Sequence, residues 1–368
     1  MLLQPLLLVC FSSVHSTDIK RINDHKVPLD RQFSNREEEW RTWAIRRLWN
    51  ERKTMGHTPL IEFQPRGFPN ADIFFKDETK TKTRSLKHRF AWALVLWAIV
   101  DGKVYSNSSV YDSTSENTGA SEAYMCKLVG IPYVAVVAKE LEQEKINQIT
   151  SHGGKIVKVE ASLRNSHAKE LARRNNGFFM NQFGNAEHAE EFHESGDYDK
   201  ESTNVFHEIL AQLRKERRQK KKVPDYFVHS AGTGGTISSV GRYVKRYSLE
   251  TRILLADSQY SLFHDYNESG TKIWRAPGVA GIGYGYIVDP VIYGKTTSLT
   301  RSVVDESMKM PDIATVAAMH VLRSRGYDGG ASTALHFLVS LYRAYQLKHS
   351  REVRGRLAIV TIIGDPGE

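Results

Sequence analysis

Asp225-Tyr226-Phe227-Val228-His229-Ser230-Ala231-Gly232-Thr233-Gly234-Gly235-Thr236 is the stretch on which the reading of the fold turns. Aromatic and β-branched residues over 225–229 predict a strand. Residues 236–246 predict a helix, so the glycines lie in a strand-to-helix loop. Glycine lets a backbone come close to an anion, and a helix N-terminus adds free N–H groups and a positive dipole end. The loop has the composition of a phosphate cup, although a tight strand–helix turn would need the same glycines. It is not a Walker loop, because the G-K-[ST] ending is missing, and it lacks G-x-G-x-x-G spacing.

Upstream, strand and helix signals alternate. Strands are predicted over 72–76, 109–112, 133–138, 155–159 and 178–181. Helices are predicted over 120–129, 140–151, 166–174 and 205–217, and a further strand over 251–256. Such alternation predicts parallel sheets with helices on both faces. In doubly wound sheets ligands bind beyond the carboxyl ends of strands. A second polar loop, Ser113-Thr114-Ser115-Glu116-Asn117-Thr118-Gly119, falls at such an end. Its hydroxyls, amide and N–H groups suit a carboxylate.

Lys87 is the third candidate. Ser85 is the predicted N-cap of a helix that is apolar nearly all round, hence buried. A lysine in its first turn faces the wrong end of the helix dipole and loses solvation. Both effects favour the neutral amine that carbonyl chemistry needs.

Composition sets the outer limits. The chain has 368 residues, 40% hydrophobic and 25% charged, which is ordinary for a globular protein and argues against disorder and disulfide scaffolds. Mean hydropathy is −0.43. The most apolar internal run, 90–100, falls short of the ~20 residues a membrane-spanning helix needs. The formal charge of +9 is concentrated in Arg214-Lys215-Glu216-Arg217-Arg218-Gln219-Lys220-Lys221-Lys222. That run reads as the solvated end of a helix plus a loop. No nucleic-acid-binding signature accompanies it, so no nucleic acid partner is expected. Cys10 and Cys126 are the only cysteines. Residues 1–16 read as a signal peptide, with an apolar core and small residues at Val14 and Ser16. The chain is accordingly expected in the secretory pathway or secreted, with mitochondrial or cytoplasmic placement as alternatives. Asn107 and Asn267 head N-x-S/T sequons that would matter on that route, and Cys126 would be the one thiol left.

Taken together and in this order, these segments resemble the cysteine synthase / cystathionine β-synthase family of pyridoxal-phosphate enzymes (fold type II, tryptophan-synthase-β-like). Thr58-Pro59-Leu60 resembles its opening turn. Ser85-Leu86-Lys87-His88-Arg89 resembles its S-x-K-x-R lysine segment, and 114–119 its T-S-G-N-T-G loop. Gln182-Phe183, Gly232-Thr233-Gly234-Gly235-Thr236 and Gly281-Ile282-Gly283 resemble its Q-F, G-T-G-G-T and G-I-G segments. The resemblance covers roughly residues 50–368. With Ser121-Glu122-Ala123-Tyr124 it is most similar to a subgroup described as cysteine desulfhydrases.

The resemblance implies an α/β fold of two domains with parallel twisted sheets. An arm and helix would occupy 17–56, a lysine-bearing domain 57–190 and a phosphate-binding domain 191–368. It implies that Lys87 is the catalytic residue, links to pyridoxal 5'-phosphate and moves the Cα proton. It implies that Asn117 meets the ring hydroxyl, that Gly232, Thr233, Gly234, Gly235 and Thr236 hold the phosphate, and that Thr114, Ser115, Thr118 and Gln182 bind the substrate carboxylate. The implied reaction is β-elimination or β-replacement on cysteine- or serine-type amino acids, by a homodimer. The alternative is a noncatalytic cofactor- or amino-acid-binding protein. Three departures motivate it. Glu116 stands where the family has Gly, and Pro366 where Ser is usual. In Gly329-Gly330-Ala331-Ser332-Thr333 the partner of the ring nitrogen aligns with Ala331, or with Ser332 after a one-residue shift.

Overall fold

The computed structural model describes residues 35–194, 203–217, 219–270, 279, 281–283, 297–348 and 355–367. The predicted signal peptide and most of the predicted arm lie outside them.

Two parallel-dominated sheets organise the chain. The smaller has the order β5-β4-β3-β6, from β3 (Val110–Ser113), β4 (Tyr133–Ala138), β5 (Lys155–Val159) and β6 (Phe178–Phe179), all parallel. The larger has the order β1-β2-β10-β7-β8-β9. Its members are β1 (Leu60–Phe63), β2 (Ala71–Asp77), β7 (Tyr226–His229), β8 (Arg252–Ser258), β9 (Glu306–Met310) and β10 (Leu357–Ile363). β1 lies antiparallel to β2, and the remaining pairs are parallel. The chain thus enters the large sheet with β1 and β2, leaves it to build the small sheet, and returns. β2 pairs along its whole length with β10, from Leu357↔Ala71 to Ile363↔Asp77. Both strands are buried throughout, as expected of central parallel strands covered on both faces.

The helices used below are α1 (Asn35–Met55), α2 (Lys87–Val100), α3 (Asn117–Leu128), α4 (Gln143–Ser151), α5 (Arg164–Arg174), α6 (Gln182–Glu194), α7 (Val205–Leu213), α8 (Gly235–Arg246), α9 (Phe263–Ser269), α10 (Asp312–Ser324) and α11 (Ala331–Leu347). Helix α2 is buried from His88 to Ile99 and packs between α1, α3 and α6 in the core of the small-sheet half. This is why its sequence lacks a polar face. No helix among the described residues is long and apolar enough to cross a membrane.

Two local expectations are corrected. Ser85 does not cap α2: Leu86 holds that position without a side-chain bond, and the buried Ser85 hydroxyl has no partner. The helix predicted over 205–217 stops at Leu213. There Lys222 Nζ donates to the carbonyls of Leu213, Glu216 and Gln219, a cation satisfying a helix C-terminus. Lys221 pairs with Asp225. Part of the basic run is therefore structural.

A buried ion cluster holds α2 to the large sheet. Arg89 forks onto Glu208 of α7 at 2.6 and 2.9 Å, and its Nε donates to Glu78 at 2.7 Å. Lys76 and Arg52 complete the cluster around Glu208 at 3.0 and 2.9 Å. Burial opposes the Glu208 charge, but the three cations outweigh it and hold its carboxyl well below the usual range. A second pair of acids has no such help. Burial lifts Asp112, on β3, to about 7 against the neighbouring N–H groups of Ser113, Gln182 and Asn181. Burial and the Asp112 charge push Glu122, on α3, well up.

These clusters set two expected outcomes. Glu208→Gln leaves the three cations without their carboxylate and is expected to cost about 3–5 kcal/mol, read from urea unfolding. For Asp112 the folded-state pKa lies above the unfolded value of ~3.9, so the folded chain holds the extra proton. Stability is then lost as pH rises from about 4 to about 7. Asp112→Asn is expected to shrink the fall in unfolding midpoint between pH 5 and pH 8.

Candidate active site

The end of β10 and the start of α2 are joined by one backbone bond, Leu86 N–H to Gly364 O at 2.8 Å. The next residues, Lys87 and Asp365, are thereby brought together at the carboxyl edge of the large sheet. Lys87 makes no hydrogen bond or ion pair with any described side chain; its Nζ lies 5.9 Å from the Phe90 ring. Burial lowers its pKa, and Asp365 partly restores it.

β7 ends beside β10, and His229 is its last residue. His229 Nδ1 donates to Ser230 O at 2.5 Å. Burial, then His336 at a ring distance of 4.6 Å, hold it well below the usual histidine range; Lys87 also contributes. His336 accepts the Ser230 N–H at Nε2 and donates from Nδ1 to Ile362 O, and burial lowers it to about 4. Both rings are neutral at pH 7. Sequence reading had passed over both.

The glycine loop follows directly. Gly234 has φ +83°, and a Cβ there would lie 2.3 Å from Leu299 N. A Cβ at Gly232 would lie 2.9 Å from Gly281 O. Gly283 N–H donates to Ala231 O at 2.7 Å, which seats the Gly281-Ile282-Gly283 segment against the loop. Ser298 N–H donates to Thr233 O at 2.7 Å, and Gly235 N–H to Thr233 Oγ1 at 3.2 Å. The loop is thus fixed from behind, while Thr236 N–H, in the first turn of α8, has no acceptor among the described residues. Gly235 and Thr236 share a small cavity with Leu86, Arg89 and Phe90, so this helix start lies against the start of α2.

The small sheet contributes the other loop. Thr114 is buried, and its Oγ1 accepts from Gly119 N–H at 3.0 Å and Glu116 N–H at 3.3 Å. Its oxygen therefore shapes the loop. Ser115 is exposed and Thr118 buried at the head of α3. Gln182 Nε2 donates to Ser113 O at 2.7 Å, and its amide lies against Asp112. In this position it supports the loop. Asn117 Nδ2 donates to Asp365 Oδ2 at 2.8 Å. Glu116 pairs with Lys145 of α4 at 3.2 Å. Burial still raises its carboxyl, with Lys145 opposing.

Of the two residues offered for the ring nitrogen, Ser332 faces the end of β10. Its Oγ would lie 3.3 Å from a Cβ at Gly364, whereas Ala331 packs against the core between α10, α11 and the sheet. Gly364 N–H donates to Thr333 Oγ1 at 3.4 Å. Asp365 is the residue that sequence reading missed as a site member. It is half-buried, its enclosed Oδ1 has no partner, and Gly330 N–H donates to its backbone oxygen at 3.1 Å.

These residues fit an anionic cofactor that carries a carbonyl. They offer an amine with no fixed partner, a glycine cradle backed so tightly that a Cβ would clash, an open helix N-terminus, and the unpartnered Ser85 Oγ and Asp365 Oδ1. Pyridoxal 5'-phosphate has the matching phosphate, aldehyde and ring oxygen. Among the described residues no group of three or more His, Cys, Asp or Glu could hold a metal ion.

Comparison with known proteins agrees. A Caenorhabditis elegans chain described only as a pyridoxal-phosphate dependent protein is 61% identical over 376 residues, covering 99% of this chain and 86% of that one. The L-cysteine desulfhydrase of Mycobacterium tuberculosis is 31% identical over 339 residues, covering 89% and 86%. The solved structure of a hydrogen sulfide-producing enzyme from Fusobacterium nucleatum superposes with a TM-score of 0.70 at 22% identity, covering 86% and 96%, and shows the shared fold. The sequence profile of the family described as "Pyridoxal-phosphate dependent enzyme" matches residues 52–365. The chain belongs to that pyridoxal-phosphate dependent family.

Proposed function

We propose that this chain catalyses β-elimination or β-replacement on cysteine- or serine-type amino acids, with release of sulfide from cysteine as the leading reaction. The observation that carries the reading is Lys87: a desolvated amine without a fixed partner, between the glycine loop and the polar loop of the small sheet. The 31% identity to a chain named L-cysteine desulfhydrase supports the choice of substrate.

Each residue has a task in that reading. The N–H groups of Gly232, Thr233, Gly234, Gly235 and Thr236 hold the phosphate. Asn117 turns its amide to the ring oxygen, and the Ser332 hydroxyl meets the ring nitrogen. A neutral hydroxyl there limits the electron-sink character and favours elimination over transamination. Pyridoxal phosphate, when bound, supplies the electron sink for the electrons left at Cα. Lys87, whose pKa burial lowers, takes the Cα proton. The N-terminus of α3, with Ser115 and Thr118, receives the substrate carboxylate. Lys145 neutralises Glu116 beside it, so the family departure at 116 does not leave a bare charge in the loop. Entry into the secretory route is part of the proposal and rests on residues 1–16 alone; N-terminal sequencing of the mature chain tests it.

The purified protein is expected to show a visible absorbance band from bound cofactor, absent in Lys87→Ala, and to release sulfide from L-cysteine. A band that ignores L-cysteine and O-acetylserine would favour the noncatalytic alternative. No band after adding pyridoxal phosphate would overturn the reading. Gly234→Ala, forced to φ +83° against Leu299, is expected to cost roughly 1–3 kcal/mol and to weaken cofactor retention, read by equilibrium dialysis.

A further inference from the structure

We propose that Glu51, on the N-terminal helix α1, is a positioning residue: through His88 and Thr83 its carboxylate sets the direction of a hydrogen-bond chain that ends on Ser121, and the chain holds the head of α3 against the start of α2.

Every link is a buried contact. Glu51 Oε1 accepts from His88 Nε2 at 3.1 Å. His88 Nδ1 lies 3.1 Å from Thr83 Oγ1, which in turn lies 2.8 Å from Ser121 Oγ. Glu51, Thr83, His88 and Ser121 are all buried. The other carboxylate oxygen, Oε2, accepts from Lys82 Nζ at 2.7 Å and from the Tyr124 hydroxyl at 3.0 Å. One side chain of α1 thus gathers the 82–83 loop, the residue after Lys87, and α3 through both Ser121 and Tyr124. The loop needs such a hold: Arg84 has φ +57°, a left-handed conformation that a bulky residue keeps only where its surroundings impose it. Glu51 stands one residue ahead of the stretch that the family profile matches, so the resemblance assigns it no role.

The direction of the chain follows from the charge. Against burial, hydrogen bonds from His88, Lys82 and Tyr124 hold the Glu51 carboxyl at about 2. It is ionised at neutral pH and can only accept. Burial lowers His88, with Glu51 opposing, so the ring is neutral and has one N–H. That proton sits on Nε2, facing the carboxylate. Nδ1 then accepts from the Thr83 hydroxyl, and the Thr83 oxygen is left to accept from Ser121. A neutral amide at position 51 would leave both directions open. Ser121 lies about one helical turn beyond Thr118, and His88 adjoins Lys87. The chain therefore ties the helix start that carries the amine to the one assigned above to the substrate carboxylate.

The effect on substrate rests on the function proposed above; the hydrogen-bond direction does not, and the test separates them. The full-length protein, its histidines labelled with nitrogen-15, is studied by NMR at pH 7.5, with the His88 signals assigned by their loss in His88→Asn. The parent is expected to carry the ring proton on Nε2, and Glu51→Gln to show both tautomers. In sulfide release from L-cysteine, Glu51→Gln and Ser121→Ala are each expected to raise KM roughly three- to tenfold with kcat little changed. The double variant is expected to raise it no further than the larger single effect. Loss of folded protein lowers kcat and leaves KM in place, so it cannot imitate this result. Arg47→Ala removes a different bond from α1 to α3, the one to the Leu128 carbonyl at 2.9 Å, and is expected to leave KM in place. A parent His88 that is doubly protonated, or that carries its proton on Nδ1, would overturn the proposal. So would an unchanged KM in both single variants, or additive effects in the double. The expected tautomers in a protein that releases no sulfide and binds no pyridoxal phosphate would instead uphold the chain and overturn the proposed function.

Discussion

The grip of Glu208 on Arg89 is the constraint on which the site depends. Arg89 and Lys87 are two residues apart on one helix, so they leave it on nearly opposite sides. Anchoring the guanidinium among Glu208, Glu78 and Thr58 fixes the rotation of α2 about its own axis. That rotation turns Lys87 toward the ends of β7 and β10. A buried ion cluster contributes little net stability, because desolvation offsets most of the attraction. Its use here is specificity: an apolar helix with no polar face could roll in its core at small cost, and three cations converging on one carboxylate prevent it. The planar fork suits Arg at 89, since Lys could not span both Glu208 oxygens.

A second constraint is electrostatic. Helices α2, α3, α8 and α11 begin around the same point, and each lacks an acidic residue in its first turn. None has a side-chain cap. Helix starts ordinarily gather Asp, Glu or Ser to meet their open N–H groups. Four starts left bare near the Lys87 amine form a positive pocket, to which the described residues bring Asp365 and the paired Glu116. The natural complement is a ligand bearing a phosphate and a carboxylate, which is what the cofactor and an amino acid together supply.

How much of this could be read in the sequence follows from how local each signal is. β4 and β5 fall where composition puts them, over 133–138 and 155–159, because β-branched runs bounded by Gly and Pro announce themselves. The glycine loop was legible for the same reason: strand, glycines and helix are contiguous. The pairing of β2 with β10 was not, since the partners lie almost the whole chain apart and no local pattern encodes it. Ser85 misled because a serine before an apolar helix is a capping signal, and only the structure shows its hydroxyl turned inward without a partner. α6 was unread because its polar, His- and Glu-bearing sequence has little periodicity. Asp365 was noticed only for the proline after it. Its place in the site comes from Asn117, which reaches it from the other half of the molecule.

The departures from the family pattern also change meaning once the charges have positions. Glu116 in a carboxylate-binding loop would repel its ligand if it stood alone. Lys145 stands 3.2 Å from it, and Asp365 raises its pKa further. The loop therefore carries an ion pair in place of a glycine, and an approaching substrate carboxylate meets a neutralised group beside an open helix start. At the segment where Ala331 or Ser332 would meet the ring nitrogen, Ala331 packs inward and Ser332 turns to Gly364. On both counts the side chains at the departures are placed by contacts that a reading of short motifs does not contain.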